Sequence, residues 1–169
     1  MSERTVLPTT LAATGSGVAH GAARWIASMA GVGFLRPAPG TWGSLLVLPV
    51  AVAGPEACLM LGAVLSVLGW WALGRLPEAR QDPGWVVVDE GAGQSFALAA
   101  LPAATGFMPG IAGMALAFLL FRGFDILKPG PVGWADRRHG ATGVMLDDII
   151  AGAMAASLLL FARWLGVEL

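Results

Sequence analysis

Apolar positions along this chain fall into interrupted blocks rather than one continuous series. Leu45 to Ala53 and Ala57 to Leu73 form a first pair, separated by Gly54-Pro55-Glu56. Phe96 to Ala104 and Ile111 to Phe121 form a second pair, broken by Pro102 and by Gly106 to Gly110. A longer run from Ile149 to Leu165 closes the chain. No segment alternates with a period of two, so the pattern predicts helices without strands, an all-α fold. Val18 to Met29 reads as a short amphipathic helix ended by Gly31-Val32-Gly33. A Pro/Gly stretch, Arg36 to Thr41, follows and places Thr41 to cap the next helix. Gly74 to Gly93 reads as a polar loop, and Arg122 to Asp148 as a charged segment before the last helix.

Several blocks fall short of the roughly 20 residues that cross a bilayer. Leu45 to Ala53 rises only about 14 Å as a helix. The two interrupted pairs are therefore expected to be broken helices or helical hairpins that enter and leave a membrane on one side. Only the last run needs to cross completely, and the polar loops then share one face. Residues 1–17, rich in Ser, Thr, Ala and Gly, are expected to be a flexible N-terminal segment, with 18–169 a single helical membrane domain.

Composition points to lipid as the solvent. Of 169 residues, 56% are hydrophobic and 12% charged, and mean hydropathy is +0.72. A soluble domain carries roughly 25% charge, and a compact soluble bundle of such helices has too little polar surface here. Net charge is −1, with no basic stripe, which speaks against a nucleic-acid partner. The one cysteine, Cys58, excludes disulfides and thiolate metal clusters. The start of the chain lacks the continuous apolar core of a secretory signal, because His20 and Arg24 interrupt it.

Charge is scarce, so its placement is informative. It gathers in three clusters: Asp89-Glu90, Arg122 to Lys128 around Asp125, and Asp147-Asp148. Arg122, Asp125 and Pro129 are spaced to share one helical face, and Lys128 follows Asp125 by three residues. Asp147 and Asp148 project about 100° apart on a helix, so at most one faces a given partner. Several converging carboxylates repel unless a cation joins them. Oxygen-only ligands favour Mg²⁺ over zinc. Arg122, Lys128 and one of Arg137 or Arg138 then suit a phosphate. Each piece has a plainer reading. Asp89-Glu90 and Asp147-Asp148 would be favourable anions at helix starts, Arg122 and Lys128 an anchor at the membrane edge, and His139 a loop histidine. The familiar phosphatase signatures are missing: no Asp-x-Asp pair, no arginine six residues after Cys58, no Gly-rich nucleotide loop.

The combined motifs resemble the phosphatidylglycerophosphatase A family. They are Gly31-Val32-Gly33, Pro37 through Ser44, Asp89-Glu90 with Gly93, Arg122-x-Phe124-Asp125-x-x-Lys128-Pro129-x-Pro131 with Asp136, and Gly143 through Gly152. They span Gly31 to Gly152 in order. The resemblance implies a helical bundle with a central helix. It implies a Mg²⁺-dependent hydrolase of a bacterial inner membrane, converting phosphatidylglycerophosphate, an anionic phospholipid, to phosphatidylglycerol and phosphate. It assigns Asp89, Glu90, Asp125, Asp147 and Asp148 to the acidic metal site. Arg122 and Lys128 become phosphate contacts, and the Gly40-Thr41 turn a backbone cradle. Gly91 departs from the pattern, standing where relatives are expected to carry a bulky apolar residue. Attack by water with a carboxylate base is favoured, with a covalent aspartyl-phosphate as rival. The competing class is a non-enzymatic ion or anion transporter with a carboxylate site. Basic residues around the Asp89 and Asp136 loops place that face toward the cytoplasm.

Overall fold

Proline opens three of the helices, where its missing N–H costs nothing. In the computed structural model, which describes residues 10–81, 83–102 and 110–168, these are α2 (Pro39–Val47), α3 (Pro55–Leu73) and α6 (Pro131–Asp136). The others are α1 (Thr10–Ala27), α4 (Val88–Leu98), α5 (Ile111–Leu127) and α7 (Ala141–Trp164). Short 3-10 turns cover Val32–Phe34, Leu48–Ala53 and Pro77–Gln81. No strand occurs among the described residues, and the fold is all-α.

Several boundaries differ from those expected. The first helix starts at Thr10 rather than Val18, because Leu11, Ala12 and Ala13 are good helix formers that carry it past Gly15 and Gly17. Residues 1–9 lie outside the described residues, as does the break expected from Gly106 up to Gly110, of which Gly110 alone is described. Thr41 does not cap α2. The chain enters that helix through Ala38 in the left-handed conformation (φ 54°), and Thr41 is the third residue of its first turn. The presumed polar loop ends early, since α4 already begins at Val88. Asp147 and Asp148 are likewise interior to α7, whose N-terminus is set by Gly140 at φ 84°.

The broken-helix expectation holds for the first apolar pair: α2 tightens into the Leu48–Ala53 3-10 turn, and Gly54 (φ 97°) redirects the chain into α3. The last run was the one expected to cross completely, and a second helix now joins it in length. Both α3 (19 residues) and α7 (24 residues) are long and apolar enough to span a membrane. They are not ordinary core helices, because only 33% and 44% of their apolar windows are buried. Met60 and Val67 on α3 are each 69% exposed, and Leu158, Leu160 and Phe161 on α7 are exposed too. That surface matches lipid better than water. Hydroxyls within the apolar helices are satisfied locally: Ser66 donates to the Gly62 carbonyl (2.7 Å) and Ser95 to the Gly91 carbonyl (2.7 Å).

Helix α4 is the central one. It packs against α2, α3, α5 and α7 and is buried over most of its length. Its closest neighbour is α7, and small residues set that crossing. A Cβ on Gly93 would strike the carbonyl of Asp148, and one on Gly152 would strike the carbonyl of Gly93. Backbone therefore lies on backbone where α4 and α7 cross, which fixes the register of Asp148 against α4.

Candidate active site

Asp89 and Glu90 occupy the first turn of α4, entered through Val87, whose N–H donates to the Ala27 carbonyl (2.9 Å). Asp148 reaches the same place from α7. Carboxylate oxygens of Asp89, Glu90 and Asp148 all lie within 4.8 Å of one another. Asp89 and Asp148 are only 5% and 3% exposed. Glu90 Oε2 and Asp148 Oδ1 are buried without a hydrogen-bond partner in the protein. Three acids in a buried space, two of them with orphaned oxygens, are costly in isolation. Burial pushes the Glu90 carboxyl well above the ordinary carboxylate range; the neighbouring Asp89 and Asp125 add to this, and Arg122 opposes it.

Opposite ligands of a hard divalent cation held at about 2.0–2.1 Å lie about 4 Å apart, so oxygens at this spacing suit one ion. The donor set is oxygen alone, which fits Mg²⁺ and not a thiolate-seeking metal. The plainer reading of Asp148 as a helix cap does not survive, because α7 starts well before it.

Cations stand at the rim. Arg122 Nη1 pairs with Asp125 Oδ2 at 2.6 Å, one turn along α5, and lies 3.9 Å from Glu90 Oε1. Asp125 is thus at the edge of the three-carboxylate group, engaged with Arg122. Lys128 follows α5 in the left-handed conformation (φ 46°), its N–H closing the helix onto the Phe124 carbonyl at 2.8 Å. Its ammonium bonds to Asp136 and, at 2.9 Å, to Asp147 Oδ2. Burial works against that charge, but the two carboxylates outweigh it and hold Lys128 above the ordinary lysine range. Asp147 Oδ1 also accepts the Asp148 N–H at 3.0 Å, so this carboxylate is engaged by Lys128 and by the α7 backbone. Arg137 and Arg138 are exposed at the end of α6, and Arg138 lies over the Trp134 ring, 3.9 Å from its centroid.

Gly40 adjoins the site from α2. A Cβ there would collide with the Glu90 carboxylate and stand 3.2 Å from Arg122 Nη1. The Thr41 N–H is turned inward to the Ala38 carbonyl (3.1 Å), so that amide is not presented as a cradle. At Gly91, the space a larger side chain would take is filled by Met29, whose sulfur would be 2.6 Å from an added Cβ. One polar residue was not singled out by the sequence pattern. Gln94, one turn after Glu90 on α4, is fully buried (0% exposed), and neither amide atom has a partner. Its four-residue spacing from Glu90 was the available signal.

Fold and site together define a helical, membrane-associated protein with a largely buried carboxylate trio beside Arg122. A family model for phosphatidylglycerophosphatase A matches residues 25–163. The chain is 35% identical over 140 residues to phosphatidylglycerophosphatase A of Haemophilus influenzae, covering 78% of this chain and 82% of that one. It is 33% identical over 138 residues to the Escherichia coli protein of the same name, covering 78% and 77%. It is also 38% identical over 144 residues to a putative phosphatidylinositol-3-phosphatase of Bacteroides thetaiotaomicron, covering 79% and 89%. No solved structure matches. The chain belongs to the phosphatidylglycerophosphatase A family and is a phosphatase.

Proposed function

We propose that this protein is a Mg²⁺-dependent phosphatidylglycerophosphatase of a bacterial inner membrane, with its site on the cytoplasmic face. The observation that carries the reading is the meeting of Asp89, Glu90 and Asp148 from two helices, with orphaned oxygens on Glu90 and Asp148, beside Arg122. Asp89, Glu90 and Asp148 would hold the cation. When bound, Mg²⁺ neutralises the carboxylates and stabilises charge on a phosphoryl group.

The chain's own residues supply the rest. Arg122, 3.9 Å from Glu90, meets the phosphate as it arrives and is held in position by Asp125. Lys128, Asp136 and Asp147 tie the turn after α5 to α7, so Lys128 contributes positive potential at the rim rather than a free hand. A water attacks phosphorus and its proton passes to Glu90, whose buried Oε2 has no partner in the protein. The new P–O bond forms as the bond to the lipid's glycerol oxygen breaks. That oxygen keeps the electron pair and takes up a proton from solvent at the open side. The products are the dephosphorylated lipid and inorganic phosphate.

Orientation rests on charge. Arg75, Lys128, Arg137 and Arg138 gather at the end of the bundle that holds the site, with Arg163 toward the other end. By the positive-inside rule this charge supports a site facing the cytoplasm.

The test is phosphate release in detergent from a panel of lipid monophosphates, with Mg²⁺ and with a chelator. Phosphatidylglycerophosphate should be the best substrate, and chelation should abolish release. The panel includes a phosphatidylinositol phosphate because of the Bacteroides relative's name; preference for it would replace the substrate assignment, and Mg²⁺-independent turnover would remove the metal. Binding of ions or anions without turnover would favour the transporter class.

A further inference from the structure

We propose that Gln94 is a catalytic residue that holds the attacking water together with Glu90, an assignment that rests on the phosphatase reading above. A fully buried amide with both polar atoms unpartnered is unusual, because each such group costs on the order of 1–3 kcal/mol. Gln94 is the one buried glutamine of α4, and both Nε2 and Oε1 are in this condition. Ser95 beside it satisfies its hydroxyl within the helix. A polar side chain kept in this state is poised for a guest that can both donate and accept.

Its position identifies the guest. Gln94 follows Glu90 by one helical turn, so the two share a face of α4 with Gln94 about 6 Å further along the axis. Leu98, a further turn on, packs with Val47, Ala51 and Ala117. Glu90 adjoins Gly40 and Arg122. The face that carries Gln94 therefore runs along the seam between α2 and α5, from the carboxylate trio into the apolar core. Glu90 Oε2, buried and without a partner, is the nearest orphaned acceptor by helical spacing. One water accepting from Gln94 Nε2 and donating to Glu90 Oε2 pairs those two atoms, and Gln94 Oε1 remains to accept from a second water.

That location is also the one the chemistry requires. In-line displacement needs the nucleophile opposite the leaving oxygen. The leaving oxygen belongs to the lipid, which is too large for the fully buried position of Gln94 and so lies toward the partly exposed Glu90, Arg122 and Lys128. The nucleophile must then come from the buried side, where Gln94 is. In the step, the water oxygen bonds to phosphorus, its proton passes to Glu90, and the glycerol P–O bond breaks with its electrons on the leaving oxygen. Gln94 exchanges no proton; its amide fixes the direction of the water's lone pair.

The experiment compares wild type with Gln94→Met, close in length and flexible, and Gln94→Leu as a second variant. Phosphate release from phosphatidylglycerophosphate is measured with Mg²⁺ dependence, inhibition by inorganic phosphate and thermal unfolding, all in detergent. The expected result is a fall in kcat on the order of 10²-fold, the scale of a misplaced reactant. KM, the Mg²⁺ requirement and phosphate inhibition should stay within about twofold, because the amide touches neither ion nor phosphate. The unfolding temperature should hold or rise, since two orphaned polar atoms have been removed. Turnover near wild type in both variants overturns the assignment, as does a loss of phosphate inhibition that matches the loss of rate. Lowered unfolding temperatures in both variants would make the amide a structural tie and overturn it too. A wild type that releases no phosphate from any lipid sinks the phosphatase reading and this one together, whereas an active wild type with active variants sinks only this one.

Discussion

Replacing Asp148 by asparagine keeps its shape and removes one charge from a crowded site, so its effect on stability should change sign with metal. At an effective dielectric near 20, two unit charges 4.8 Å apart repel by about 3.5 kcal/mol. Asp148 faces two such neighbours, Asp89 and Glu90. The Arg122 charge beside Glu90 offsets part of this, so a gain of about 1–3 kcal/mol is the scale for the metal-free variant. A chain of this length shifts its unfolding temperature by about 2–4 °C per kcal/mol. Asp148→Asn should therefore unfold several degrees higher than wild type in chelator. With Mg²⁺ the order should reverse, because the ion stabilises the intact trio by mass action and the variant binds it weakly. Thermal unfolding in detergent across a Mg²⁺ series reads both arms, and lipid phosphatase rate over the same series should show lost activity partly restored by excess Mg²⁺. Equal Mg²⁺-induced shifts in the two proteins, with near-normal turnover at limiting Mg²⁺, would refute the reasoning.

Three further outcomes follow from contacts elsewhere in the fold. Gly93→Ala drives a methyl into the Asp148 carbonyl, and overpacking of this kind costs about 1–3 kcal/mol; both the unfolding temperature and the phosphatase rate should fall, and unchanged values would remove backbone contact as the device that registers α7. Lys128→Met leaves Asp147 and Asp136 without their cation and should destabilise by roughly 1–3 kcal/mol, discounted because the lysine side chain is 29% exposed. Adding Asp147→Asn should recover part of that loss, and strict additivity in the cycle would deny the pairing. Because Lys128 is held above the ordinary lysine range, its contribution is fully present below that range and is lost only as pH rises through the folded value, so wild-type stability from this clasp should be flat near neutral pH. Cysteines introduced at Glu56 and Arg138 should react with an impermeant thiol reagent from opposite sides of the membrane, Cys58 being buried and silent; labelling of both from one side would show that α3 does not cross.

The large features of the fold were legible because they rest on local chemistry. Apolar blocks became helices, and prolines at 39, 55 and 131 fell at helix starts as their geometry favours. What stayed hidden depends on tertiary register. Gly91-Ala92-Gly93 reads as loop, yet these residues are helical in α4, and Gly93 lets it lie against the α7 backbone at Asp148. The sequence showed that only one of Asp147 and Asp148 can face a given partner. Which one does so follows from the Gly93–Gly152 crossing, and no local pattern encodes it. Lys128 was placed on the Arg122–Asp125 face by its spacing, but α5 ends at Leu127 and the left-handed turn swings the lysine toward Asp136 and Asp147.

The division of labour among the acids follows from that geometry. All the candidate carboxylates are near one another in space, but each oxygen answers to a different neighbour. Asp147 is engaged by Lys128 and by the Asp148 N–H. Asp125 is engaged by Arg122. Glu90 and Asp148 retain buried oxygens that nothing in the protein satisfies, and Gln94 retains a whole amide. In a chain with 12% charge, a fold that wanted only stability would have paired or removed these groups. The unsatisfied atoms of Glu90 and Asp148 belong to the trio beside Arg122, and Gln94 follows Glu90 by one turn of α4. On the proposed reading the trio takes the cation and Gln94 the water. The arrangement therefore separates two kinds of charged residue that the sequence presents alike, those that hold the helices together and those left open for chemistry.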